Sequence, residues 1–188
     1  AIGDVPNADE GSLKNAEGLL CKEQHAGSLA GYAAALTAKA QGGKAVSSVG
    51  GQKQPPVDRF IAGYQAGATA AVPGITTLNS YSQDFSNPAK CKEIALNQIS
   101  RGSGIVFQVA GQCGLGALGA AKEKKKLGIG VDADQSFLGS YILTSAEKKI
   151  DVAVKNTVKS VQDDAFKGGT DPIFDAKTEA AGRGRTPA

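Results

Sequence analysis

Asp132 and Asp134 close an apolar run, Leu127 to Val131, that no charge interrupts. Carboxylates at the end of a buried strand are reachable from solvent yet held rigidly. They can accept two hydrogen bonds from vicinal hydroxyls, as on a ribose, hold a metal, or act as general acid and base. The metal reading lacks further paired carboxylates nearby, and Asp134 alternatively caps the next turn. Gly111-Gln-Cys-Gly-Leu-Gly116 is a glycine turn from strand to helix. Its G-x-x-G-x-G spacing departs from the dinucleotide fingerprint, and no Lys-Ser/Thr follows to make a phosphate loop. It serves close helix–strand packing, close approach of backbone to a ligand, or both. Phe107 belongs to a central strand and reads as core, though its place before the Gly111 turn also suits stacking on a planar base. Lys148 offers a cation to the same end of the sheet or is simply solvated.

Other chemistry is poorly provided for. The single histidine, His25, lies on a polar turn of a helix, and no Gly-x-Ser-x-Gly elbow occurs. The three cysteines, Cys21, Cys91 and Cys113, fit no zinc spacing. They read either as buried small hydrophobes or as an exported protein's Cys91–Cys113 disulfide with Cys21 left over. No cofactor is called for.

These residues need a scaffold, and the chain alternates strand-like with helix-like segments. Leu29, Tyr32, Ala33 and Leu36 recur at helical spacing and predict a helix from Lys22 to about Ala40. A short strand at 45–49 follows. Pro55-Pro56 opens a second helix with the stripe Phe60, Ile61, Tyr64 and Ala68. A strand at 75–80 precedes a third helix capped by Asn87. The runs 105–109 and 127–131 read as buried parallel strands, separated by a helix from Gly111 to about Lys126. A further strand at 142–145 leads to an amphipathic helix at 150–163 built on Ile150, Val154, Val158 and Val161. One short strand at 172–174 precedes a tail, 182–188, expected to be exposed or frayed. The pattern predicts an α/β fold, a mostly parallel sheet covered on both faces. Ligands of such sheets bind beyond the carboxyl ends of the strands, here 50–51, 82–84, 111–114 and 132–135.

Composition sets the outer limits. With 188 residues, 41% hydrophobic and 21% charged, the chain is globular and can bury a core. Its net charge of +3 is spread out. The densest basic cluster, Lys122 and Lys124 to Lys126, reads as a solvated helix end, and arginine–aromatic interleaving is absent, so nucleic acid is not an expected partner. No apolar run approaches the ~18 residues of a membrane span. The lack of Met and an opening that reads as a strand end are expected of a fragment or a processed chain.

An ordered set of motifs carries a family resemblance. It comprises Lys22-Glu-Gln, Gly27-Ser-Leu-Ala-Gly-Tyr, Val49-Gly-Gly, Pro55-Pro-Val-Asp-Arg-Phe-Ile-Ala-Gly-Tyr, Phe107-Gln-Val-Ala-Gly-Gln-Cys-Gly-Leu-Gly, Gly128-Ile-Gly-Val-Asp-Ala-Asp-Gln and Ile142-Leu-Thr-Ser. Together these resemble the basic membrane protein, or Med, family of bacterial substrate-binding lipoproteins, which includes purine nucleoside receptors. The resemblance implies a type I periplasmic-binding-protein fold with two Rossmann-like lobes that close on a ligand. It places part of the first lobe and a crossover in 1–23, the second lobe in 24–136, and the return crossover, partial first lobe and tail in 137–188. It implies that Asp132 binds ribose hydroxyls and that Phe107 stacks on the base. Lys148 and the Gly111 turn would line the cleft, with Asp4 a weaker contributor. It further implies an ABC permease partner, a lipid anchor outside this stretch, an extracytoplasmic location and a binding protein rather than an enzyme. A regulatory effector-sensing domain of the same fold and an enzyme acting on a nucleoside or sugar phosphate are the competing readings.

Overall fold

The computed structural model describes residues 15–174 and the backbone of 181–183. After the short strand β1 (Leu20–Cys21) comes helix α1 (Glu23–Ala40). Four strands alternating with three helices follow: β2 (Ala45–Gly50), α2 (Pro55–Ala71), β3 (Thr76–Tyr81), α3 (Pro88–Ser100), β4 (Ser103–Val109), α4 (Gly111–Glu123) and β5 (Leu127–Asp132). A single 3₁₀ turn at Ser136–Leu138 leads to β6 (Ile142–Lys148), then α5 (Ile150–Gln162), β7 (Ile173–Phe174) and β8 (Ala181–Arg183). The α/β architecture expected from the alternation is the one observed.

The large sheet has the order β3-β2-β4-β5-β6-β8, parallel except for β8. Its strands alternate sides as a period of two demands. Ile105, Phe107 and Val109 of β4 face one core with Phe60, Ile61 and Tyr64 of α2 and the alanines of α1. Val106 faces the other with Cys91 and Ala95 of α3 and Ala117 of α4. A disulfide joins Cys91 of α3 to Cys113 of α4, with Cα atoms 5.5 Å apart. Cys21, a buried thiol, lies outside it. A second sheet pairs β1 with β7 in parallel, and Leu19, Cys21, Ala153 and Phe174 form its small core with α5.

Four expectations are corrected. First, α1 buries its small residues, Ala26, Gly27, Ala30, Gly31, Ala34, Ala35 and Ala38, while Leu29, Tyr32 and Leu36 are exposed. The reason is close approach to α2. A Cβ on Gly31 would lie 1.9 Å from the Tyr64 carbonyl oxygen, and one on Gly67 would lie 2.0 Å from that of Ser28. Second, the strand from Ile142 does not leave for the first lobe. It pairs with β5 from Gly128 to Asp132, so the large sheet continues to Lys148. Third, residues 181–183 pair antiparallel with Ala146–Lys148 rather than fraying. Fourth, only the start of the α5 stripe is covered, and Val158 and Val161 stay exposed.

Candidate functional site

A cavity of about 180 Å³ opens at the carboxyl edge of the large sheet. Three strand ends build it: Val109 closes β4, Val131 and Asp132 close β5, and Lys148 closes β6. Gln54, Pro56, Val57 and Phe60 come from the start of α2, and Phe85 from the loop after β3. Gly111, the first residue of α4, completes the wall. Strand order reverses between β2 and β4, so the opening lies beside the switch point where open α/β sheets bind ligands. Its volume is below the roughly 300–1,000 Å³ of complete small-molecule sites, as expected of one wall of a cleft.

Local geometry explains why these residues sit where they do. Asp132 ends β5 with φ +66°, a left-handed conformation that Asp tolerates better than most residues. The Gln135 side chain pins the turn behind it, its Oε1 accepting from the Val131 N–H at 3.1 Å and from Gln108 Nε2 at 2.7 Å. The exposed carboxylate is thus carried on a fixed backbone. Gly111 has φ +56°, and a Cβ there would lie 3.3 Å from the Phe85 carbonyl oxygen. Phe85 in turn covers Gly51, where a Cβ would meet its ring at 2.2 Å. The first turn of α4 brings its positive dipole end to the cavity.

Lys148 is held on two sides. Its Nζ lies 3.2 Å from Glu23 Oε1 and 5.4 Å from the centre of the Phe60 ring, and the side chain is 7% exposed. Glu23 is fully buried and also accepts from Arg59 Nε at 2.6 Å. Two positive groups therefore compensate its carboxylate, as burial of a charge requires.

The structure brings Asp132, Gly111 and Lys148 to one cavity and leaves two expected residues out. Phe107 has no exposed surface. Its ring packs on Tyr64 at 5.0 Å and edge-on to Phe60 at 6.3 Å, so no face is open to a base. Asp134 turns away and caps Ser136, accepting from its N–H at 2.9 Å and its hydroxyl at 3.0 Å. Asp4 lies outside the described residues. The aromatic side chains at the cavity are Phe60 and Phe85, neither of which stood out by spacing. Phe60 read as helix core, and Phe85 sits in an irregular polar loop. Glu23 was hidden because nothing local distinguishes a buried acid from any helix-starting acid.

The site offers one exposed carboxylate, one ammonium, a helix N-terminus and an aromatic wall. His25 is on the first turn of α1, its N–H bonded to the Lys22 carbonyl at 2.9 Å. No cluster of three or more His, Cys, Asp or Glu residues suited to a metal occurs among the described residues. Such a set can hold a polar, partly planar solute by hydrogen bonds.

A family model described as ABC transporter substrate-binding protein PnrA-like matches residues 6–186. The chain belongs to this family. Among PnrA-like relatives, the nucleoside-binding protein BmpA of Lactococcus lactis is 32% identical over 182 residues, covering 87% of this chain and 51% of its own. Basic membrane protein D of Borreliella burgdorferi is 32% identical, covering 90% and 50%. The chain thus spans about half the length of the relatives it matches. The crystal structure of an ABC transporter solute-binding protein from Aeropyrum pernix K1 superposes with a TM-score of 0.81 at 29% identity, covering 92% of this chain and 50% of that one. A transcriptional activator of the comK gene from Bacillus halodurans superposes with a TM-score of 0.83 at 19% identity, covering 93% and 59%. At that identity the likeness to a regulator shows the shared type I fold alone. The family is one of substrate-binding proteins of ABC transporters, not of enzymes.

Proposed function

We propose that this chain supplies one wall of the ligand cleft of an extracytoplasmic binding protein for an ABC importer, and that the ligand is a nucleoside, purine before pyrimidine. The observation that carries the reading is the exposed Asp132 carboxylate, fixed at the end of a buried strand beside an aromatic wall. A carboxylate in that position accepts from two vicinal ribose hydroxyls. The ring of Phe85 offers the stacking surface expected earlier of Phe107, and Lys148 donates to a base or ribose oxygen. The name of the lactococcal relative supports the choice of solute.

The mechanism is closure, not chemistry. The first lobe, of which β1, β7 and α5 form part, would shut over the cavity. Ligand that touches both lobes stabilises the closed state by its differential affinity, and the closed form docks on the permease. Lipid anchoring of the whole protein at the membrane surface belongs to the same reading. Discrimination comes from buried polar groups that a deoxy analogue leaves unpaired.

A thermal-shift titration with inosine, guanosine, adenosine, uridine and ribose tests this. A ligand at about 100 times its dissociation constant adds about 2.7 kcal/mol of stability. Purine nucleosides should raise Tm, and Asp132→Ala should remove the shift while lowering the unliganded Tm, since alanine is strained at the left-handed backbone there. A shift that survives Asp132→Ala would refute the assignment of that carboxylate.

A further inference from the structure

Glu23 is the most deeply buried charge near the cavity, yet it does not line it. It begins α1 immediately after β1, where the chain enters the large sheet's domain. Lys148 ends β6 immediately before α5, where the chain leaves again. Their ion pair, 3.2 Å long, therefore ties together the two segments that connect the sheets. Arg59 of α2, 2.6 Å from the other carboxylate oxygen, fixes Glu23 from the far side. The ring of Phe60 flanks the ammonium on another side, and the Lys148 side chain lines the cavity.

We propose that Glu23 is a positioning residue: anchored by Arg59, it sets the charge and direction of the Lys148 ammonium at the cavity and couples that ammonium to the lobe connections. The inference rests on the proposed function only in taking Lys148 as a ligand contact. Glu23 offsets one of the two cations it pairs with, and the Asp132 carboxylate at the same cavity offsets the other, so the site presents a donor group without a net positive charge. Such a site suits a neutral solute that carries acceptor oxygens better than an anion.

The test has one arm that needs no ligand. Acetic anhydride at limiting concentration acetylates accessible lysines, and mass spectrometry reads each site. In the wild-type protein Lys148 should react slowly relative to the exposed Lys39 and Lys53. Glu23→Gln should raise Lys148 labelling about tenfold, the scale of coupling between contacting residues, with Lys39 and Lys53 unchanged. Arg59→Gln removes one of the two cations that flank the buried Glu23 and leaves Lys148 beside it, so its unfolding curve is recorded alongside; in the folded protein it should shift Lys148 labelling in the same direction by less. The second arm measures guanosine affinity in Glu23→Gln, Lys148→Gln and the double variant. Positioning predicts that the two single losses are similar and do not add. Unchanged Lys148 labelling in both the Glu23 and Arg59 variants, or fully additive affinity losses, would overturn the proposal. If wild type binds no guanosine, the nucleoside reading fails by itself and the labelling arm still decides the role of Glu23.

Discussion

At the scale of single residues, Tyr64 shows how the aromatic core is arranged. Its ring stacks on Phe107 while its hydroxyl, fully buried, finds no hydrogen-bond partner among the described residues. Burial pushes the hydroxyl's pKa far above the ordinary tyrosine value, because the phenolate has nothing to solvate it. Removing that hydroxyl removes a desolvation cost. Tyr64→Phe should therefore raise stability by about 0.5–2 kcal/mol in denaturant unfolding; a loss of similar size would mean that the hydroxyl is satisfied. The neighbouring Phe107 marks a limit of reading residues in sequence. Its strand position was legible, but a strand has two faces, and the side toward α2 is covered by Phe60 and Tyr64 from a segment about 45 residues away. Asp132 and Asp134 both read as ligand carboxylates in sequence, with capping of the next turn the alternative for Asp134. A turn that pins one carboxylate's backbone and spends the other on capping separated them.

At the scale of elements, the α1–α2 pair is the clearest case of packing overriding pattern. Gly27 and Gly31 on α1 sit against the Phe60 and Tyr64 carbonyls of α2, and Gly63 and Gly67 on α2 against the Gln24 and Ser28 carbonyls of α1. Leu29, Tyr32 and Leu36 formed the expected stripe because hydrophobicity was taken as the guide to burial. Close helix packing instead selects the smallest residues, and alanine and glycine carry little signal on a hydrophobic scale. Gly31→Ala gains about 1 kcal/mol of helix propensity. It must also displace the Tyr64 carbonyl, and overpacking of this kind costs about 1–3 kcal/mol or more, so Tm should fall. Gly119→Ala, on the exposed face of α4 with open space around it, should raise Tm instead. Equal effects at the two positions would contradict the packing account.

The loop between β3 and α3, which presents Phe85, is organised by Asp84. The N–H of Ser86, the Lys90 ammonium and the N–H of Asn87 hold its carboxyl below the usual carboxylate range. A depressed folded-state pKa stabilises the protein fully above the unfolded aspartate value of about 3.9, and that contribution is lost as pH falls through the folded value. Wild type should be more stable than Asp84→Asn at neutral pH, and their melting temperatures should converge toward the acid end of a titration. A constant difference across pH would show that the carboxylate charge is not what orders the loop.

At the scale of the whole molecule, fold class and the element order from α1 to α5 were legible because those strands and helices announced themselves by period and by glycine or proline punctuation, whereas β1 and β8 did not. Long-range pairing was not legible. Nothing near 142–148 states that it joins β5 rather than crossing over, and nothing near 181–183 states that it pairs with β6. The disulfide lay between, since the cysteine spacing allowed a bridge and only the packing of α3 on α4 brings the sulfurs together. The site follows the same division. The carboxyl edges were readable from topology, whereas Phe85 and Phe60 reach the cavity, and Glu23 reaches Lys148, through tertiary folding alone.

The central claim is that a nucleoside binds at the carboxyl edge of β4, β5 and β6. Its most direct test is a ¹H–¹⁵N correlation spectrum of the assigned protein, titrated with guanosine. The account predicts saturable shifts concentrated at the amides of Gly51, Phe85, Gly111, Asp132 and Lys148, with the opposite edge of the sheet silent. Saturable shifts that cluster elsewhere, or none at concentrations that saturate the wild-type thermal response, would contradict it.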